Sequence, residues 1–373
     1  MSSEIYRKLQ QHLDRMPVGF PATESGVEIR ILQRLFTPAE AEVALELSVI
    51  PEIASVVHKR FGSRMALPEL ERVLDEMAAK GLIHRIPSRA GALYGKLMFV
   101  VGIYERQLNR LTPELERDVR QYSEEAFGAA FHSGKTTQMR IVPVNRTIPL
   151  DRGVANYEDI RAYVRTAPGP FAKMPCICRK GKHLLGEECK QTQVRDNCLT
   201  IGVAAVFMAD AAGAAIVERQ EMPDLLDEAD KEGLVLQSEN TQQPLFVCCC
   251  CHCCCGVLTS AQRLPRPADY FSSSFCAVVE GDECQACGTC VVRCQMDAIC
   301  MDTGKPEVDE ARCIGCGLCI TTCPSGALRL ETKSSSKVPP NDTKALYVRM
   351  LQDRYGPWGM ARLGVRKALG MKF

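Results

Sequence analysis

Apolar positions recur at helical spacing through the first hundred residues. Leu67, Leu70, Val73, Leu74 and Met77 share one face of a predicted helix, which Gly81 ends. Upstream, Thr37-Pro38-Ala39-Glu40 has the form of a capping box with proline at the first helical position, and Val43, Ala44 and Leu47 continue the pattern. A short helix is predicted over residues 51–60. The period then changes, and residues 82–86 and 96–101 read as two strands around a Pro/Ser/Gly turn. One helix is predicted over 113–131 and a short one over 158–164. Between them, 141–144 and 147–150 carry prolines and read as edge strands or extended connections, because proline donates nothing to a ladder. The most apolar stretch, 199–217, is mostly Ala and Gly with Asp210 near its centre. It predicts a buried small-residue helix rather than a membrane span. Residues 223–233 read as helix and 332–340 as a Ser/Lys/Pro linker.

Three helices followed by a two-stranded ribbon, carried by the segment LERVLDEMAAKGLIHRI at residues 70–86, resemble a winged helix. Such modules often place their third helix in the DNA major groove. Here residues 68–80 hold Glu69, Glu71, Asp75 and Glu76 against Arg72 and Lys80. That acidic balance repels phosphates and favours protein docking or a structural use over nucleic acid.

The whole chain of 373 residues has 46 basic against 45 acidic side chains, so bulk charge points to no polyanionic partner. Its length suggests two to three domains. No phosphate-cradling glycine loop or dinucleotide fingerprint occurs. The first residues are charged and lack an apolar run, so a cytoplasmic protein with reduced thiols is expected. From Lys344 onward, seven basic residues face one acid, with Trp358 and several aliphatics among them. This arm either packs back on its own protein or touches an acidic partner or anionic membrane surface.

Cysteine usage changes the picture most. There are 21, none before residue 176, and 17 of them lie within 248–323. Cys284-x2-Cys287-x2-Cys290-x3-Cys294 is followed by Cys313-x2-Cys316-x2-Cys319-x3-Cys323-Pro324, with Gly288 and Gly317 in equivalent places. Residues 276–331 resemble the bacterial-type ferredoxin domain. The resemblance implies two [4Fe–4S] clusters, one on Cys284, Cys287, Cys290 and Cys323, the other on Cys313, Cys316, Cys319 and Cys294. Gln295 stands where the first half usually has proline, which should alter the local turn. Cys276 and Cys300 read as bystanders.

Eleven remain: Cys176, Cys178, Cys189 and Cys198, then Cys248, Cys249, Cys250, Cys251, Cys253, Cys254 and Cys255, and this run of seven in eight positions has no packing rationale. In an extended segment Cys248 and Cys250 face one side and Cys249 and Cys251 the other, so two centres, or one centre plus a redox-active thiol, fit better than one. A further iron–sulfur centre is expected, with zinc as the alternative. His252 and His183 are candidate ligands or spacers. Cys254-Cys255-Gly256 also resembles the CCG element of heterodisulfide reductase catalytic subunits, which hold non-cubane clusters and reduce disulfides.

The expected fold class is therefore α+β and multidomain: a winged-helix-like domain over 1–105, a connection over 106–175, a Cys-rich domain over 176–270, the ferredoxin repeat over 276–331, and a linker with basic arm over 332–373. The expected function is electron transfer with redox partner proteins, as a relay or oxidoreductase subunit. The alternatives are a catalytic Cys-rich site and a redox-sensing winged-helix regulator.

Overall fold

The computed structural model describes residues 2–144, 156–280, 282–301, 304–334 and 337–372. The extended segment expected over 147–150 lies outside them. The chain forms two compact units, residues 1–134 with 350–373, and residues 135–349.

The first unit begins with α1 (Ser2–Leu13), α2 (Val27–Leu35) and α3 (Pro38–Ala44), followed by the short β1 (Glu52–Ile53). α4 (Ala54–Phe61) and α5 (Leu67–Ala79) lead into β2 (Ile83–Ile86) and β3 (Leu93–Lys96). The capping box forms as its sequence requires: the Thr37 hydroxyl accepts from the Glu40 N–H, and the Glu40 carboxylate accepts from the Thr37 N–H. β3 lies between β1 and β2 and pairs antiparallel with both. The second strand of the ribbon is thus 93–96, not 96–101. Leu97, Met98 and Phe99 are apolar because they are buried after the strand ends, where Phe99 packs against Phe20, Tyr122 and Phe127. Core burial and strand alternation leave the same mark on so short a run. α6 (Pro113–Tyr122) continues through a wide turn at Ser123–Phe127 into α7 (Gly128–His132).

The second unit is built on a six-stranded antiparallel sheet. Its elements in chain order are β4 (Met139–Val142), α8 (Ile160–Thr166), β5 (Phe171–Met174), α9 (Ile177–Leu184), β6 (Cys198–Ile201), α10 (Val203–Ala212), β7 (Ala215–Val217), α11 (Met222–Lys231), β8 (Val235–Glu239), β9 (Phe246–Cys250) and α12 (Gly256–Gln262). The strand order β4-β8-β9-β6-β5-β7 puts β4 at one edge, as its proline neighbour requires, and β9 near the middle. The apolar stretch 199–217 is therefore strand, helix and strand, not one buried helix. Gly202 and Gly213 break it at left-handed backbone positions, and α10 leaves Val203 and Val206 exposed.

The segment with the repeated cysteine spacing follows as β10 (Phe275–Val279), α13 (Thr289–Arg293), β11 (Ile299–Cys300), β12 (Glu307–Val308), α14 (Leu318–Thr321) and β13 (Leu328–Thr332). β10 pairs antiparallel with β13, from Phe275↔Thr332 to Val279↔Leu328. One hydrophobic core runs from Ile141 and Val247 of the large sheet to Ile314 and Leu330 of the repeat. Arg293 fastens the two parts by donating to the Asp230 and Lys231 carbonyls.

α15 (Thr343–Ala368) contains the division between the units and leaves helical geometry at Gly356. In the first unit the basic arm packs back: Arg354 donates to the Met16 carbonyl at 2.7 Å, Tyr355 to the Arg15 carbonyl at 2.8 Å, and Lys372 pairs with Glu46 at 3.0 Å. Trp358 is left 89% exposed. Among the described residues no helix is long and apolar enough to cross a membrane.

Candidate metal centres

The repeat builds two hollows. One is lined by Cys284, Cys287, Cys290 and Cys323, the other by Cys294, Cys313, Cys316 and Cys319. Each hollow takes three cysteines from one half and the last from the other. The local cause is backbone shape. Ala286 and Gly315 share left-handed φ values of 54° and 68°, Gly288 and Gly317 of 75° and 78°, and Asp297 and Gly326 of 52° and 72°. These repeated left-handed residues turn the chain tightly enough to aim successive thiols inward. Backbone N–H groups then face sulfur: Ala298 donates to Cys294 at 3.2 Å, Ala277 to Cys313 and Ala286 to Cys284, each at 3.4 Å. Such donors stabilise anionic sulfur and suit a cubane.

The halves differ in their surroundings. The open first half tolerates alanine at 286, but a Cβ on Gly315 would strike the Phe275 carbonyl and lie 2.7 Å from the Ser273 hydroxyl. Gly315→Ala should therefore cost about 1–3 kcal/mol in backbone strain before the clash is counted. We expect the purified variant to retain less iron than wild type; equal retention would contradict the close approach. Exposure differs too. Cys287 is exposed and Cys284 partly so, whereas Cys313 and Cys319 are buried. Burial pushes the Cys316 thiol up to about 12.

The eleven other cysteines divide into three. Cys189, Cys251, Cys253 and Cys254 form a closed tetrad whose sulfurs all lie within 4.8 Å of one another. A second set runs through contacts Cys176–Cys178, Cys178–Cys255, Cys255–Cys250, Cys250–Cys248 and Cys248–Cys198, the last at 3.7 Å. Cys249 points away from both into the core, 2% exposed, because strand alternation puts it on the face opposite Cys248 and Cys250. The sheet explains the second set: β9 pairs with β6, placing Cys248 directly across from Cys198. Cys176 and Cys255 hold the N-cap positions of α9 and α12.

Crowded thiols resist ionisation together. Contact with Cys178, then burial, pushes the Cys176 thiol well up; contact with Cys198 and Cys250, then burial, does the same for Cys248. A bound cation offsets that mutual repulsion, so the donor set fits a metal centre. Arg179, 6% exposed, lies between the two sets and donates to Asn197, to the Cys249 carbonyl at 2.8 Å and to the Cys251 sulfur at 3.8 Å.

His252 joins neither set. Its backbone N–H donates to Gln295 Oε1 at 2.9 Å, and its Nδ1 lies 2.7 Å from the same oxygen. Gln295 Nε2 in turn donates to Gln191 at 2.9 Å. The residue that departs from the repeat pattern thus links the seven-cysteine run to the cysteine repeat. His183 pairs at the surface with Glu188 at 2.7 Å. Cys276 lies against Cys313, whose thiol that contact pulls down, and Cys300 is exposed.

A family model described as a 4Fe-4S binding domain matches residues 305–328, which contain Cys313, Cys316, Cys319 and Cys323. No curated protein and no solved structure matches the chain. The family match and the thiol cluster support an iron–sulfur protein with at least one [4Fe–4S] cluster.

Proposed function

We propose that this chain is an electron-transfer protein with two [4Fe–4S] clusters in the repeat and a further iron–sulfur centre in the Cys-rich sheet. The sorting of eight cysteines into two hollows, with the last cysteine of each half exchanged, carries the reading. The first hollow, with Cys287 exposed, is the port for a redox partner protein. The second holds the buried Cys313 and Cys319 and adjoins Cys294-Gln295, whose side chain reaches His252 between Cys251 and Cys253. Electrons entering at the surface would pass inward along this line to the Cys176–Cys178–Cys198–Cys248–Cys250–Cys255 set. The clusters would supply the redox chemistry; the protein would hold them at fixed separation and direct N–H donors at their sulfurs.

The N-terminal unit is read as a docking module. From α3 to β3 its order of helix, strand, two helices and two strands, with β1 pairing β3, supports the winged-helix resemblance. On α5, Asp75 holds Arg85 at 2.7 Å and accepts from Tyr94 at 2.7 Å, so the acidic helix is tied to the ribbon. An acidic α5 favours a protein partner over DNA.

Stepwise reduction of anaerobically purified protein, followed by electron paramagnetic resonance, tests the reading. We expect signals from two magnetically interacting reduced cubanes in the repeat. A protein that holds zinc in place of iron there, or whose clusters accept no electron from dithionite, would refute it.

A further inference from the structure

The tetrad Cys189, Cys251, Cys253 and Cys254 differs from every other cysteine group in the chain by its size. Cys189 lies 3.7 Å from both Cys251 and Cys253, Cys253 lies 3.5 Å from Cys251 and 3.6 Å from Cys254, and no sulfur pair exceeds 4.8 Å. A single metal ion with metal–sulfur bonds of about 2.3 Å sets four tetrahedral sulfurs about 3.8 Å apart. A cubane interposes iron and sulfide, so its cysteine sulfurs stand roughly 6–7 Å apart. Among the described residues neither the two repeat sets nor the six-thiol set closes into such a compact group.

We propose that this tetrad is a mononuclear tetrathiolate site, filled by one divalent ion of the zinc or iron(II) class and separate from any iron–sulfur cluster. It goes beyond the electron-transfer reading and does not depend on it.

The surroundings fit the charge. A divalent ion with four thiolates carries a net charge of −2, which a buried site must compensate. α9 supplies two buried cations. Arg179 reaches the Cys251 sulfur at 3.8 Å, and Lys182, 8% exposed, donates to the Cys253 carbonyl at 2.7 Å. The Lys190 N–H also donates to the Cys253 sulfur. Tetrahedral all-sulfur coordination selects zinc or iron among divalent ions. The ion would clip Cys189, from the loop after α9, to the turn between β9 and α12. That fixes His252 and its bond to Gln295.

Metal and acid-labile sulfide are measured per chain on anaerobically purified full-length protein and on a Cys189→Ala/Cys254→Ala variant. The expected result is loss of about one zinc or iron atom with sulfide unchanged. Loss of iron together with an equal amount of sulfide would overturn the proposal by showing a cubane. So would a metal content that does not change. Should that variant fail to fold, Cys254→His keeps four ligands. It should retain the ion, and wild type should hold about one metal atom beyond its cluster iron. Absence of that extra atom in wild type would equally overturn the proposal. Repeat-bound iron reports separately on the electron-transfer reading: its loss from wild type would refute that reading and leave this one standing.

Discussion

A chain carrying both Cys284→Ala and Cys323→Ala will lose about four iron atoms, whereas one carrying Cys284→Ala and Cys294→Ala will lose about eight. The two double variants remove the same number of thiols, and the second pair is the closer in sequence. The difference arises because Cys284 and Cys323 line one hollow, while Cys294 lines the other. In the first variant both lesions fall on one cluster, so the second adds nothing. In the second variant each cluster loses a ligand. Iron and sulfide analysis after anaerobic purification reads the result directly. The reverse order, about eight lost from the first variant and about four from the second, would mean that each run of four cysteines binds its own cluster, and the exchange of the last ligand would be wrong.

Glu158→Ala is expected to destabilise the second unit by about 3–5 kcal/mol, the cost typical of stranding a buried charge. Arg140 is 1% exposed on edge strand β4, and its guanidinium lies 2.7 Å from the Glu158 carboxylate. Glu158 also accepts from the Ser274 hydroxyl at 2.6 Å, just ahead of β10. On the same line the Ile141 N–H donates to the Ser272 carbonyl at 2.9 Å. This buried pair therefore couples the large sheet to the segment that begins with β10. Replacing both partners, as Arg140→Met with Glu158→Leu, removes the unpaired charge and should recover most of the loss. Chemical denaturation followed by circular dichroism separates the cases. A Glu158→Ala midpoint near wild type would show that water reaches the guanidinium.

Sequence patterns served best where their chemistry is local. The capping box at Thr37 and Glu40 needs only four residues, and it forms as read. The cubane spacing is equally local: tight turns at Ala286, Gly288, Gly315 and Gly317 follow from short gaps between ligands. Patterns failed where burial comes from distant partners. Phe99 belongs to an aromatic group with Phe20, Tyr122 and Phe127, so its run looked like strand although the strand ends at Lys96. The stretch 199–217 looked uniform because apolar composition does not say where the chain reverses; Gly202 and Gly213 decide that. Gln295 read as a lost proline, and only its contacts with His252 and Gln191 give it a purpose.

The sequence by itself determined that this protein binds iron and sulfur. Ligand type and spacing are written into consecutive residues, and the spacing occurs twice. It could not divide the eleven remaining cysteines, because their neighbours lie far apart along the chain. The pairing of β9 with β6 brings Cys248 against Cys198, the loop after α9 carries Cys189 to Cys251 and Cys253, and strand alternation turns Cys249 away. Those are choices of sheet order and loop path. They are set by how the whole core packs, so only the tertiary structure separates a compact tetrad from an open set of six.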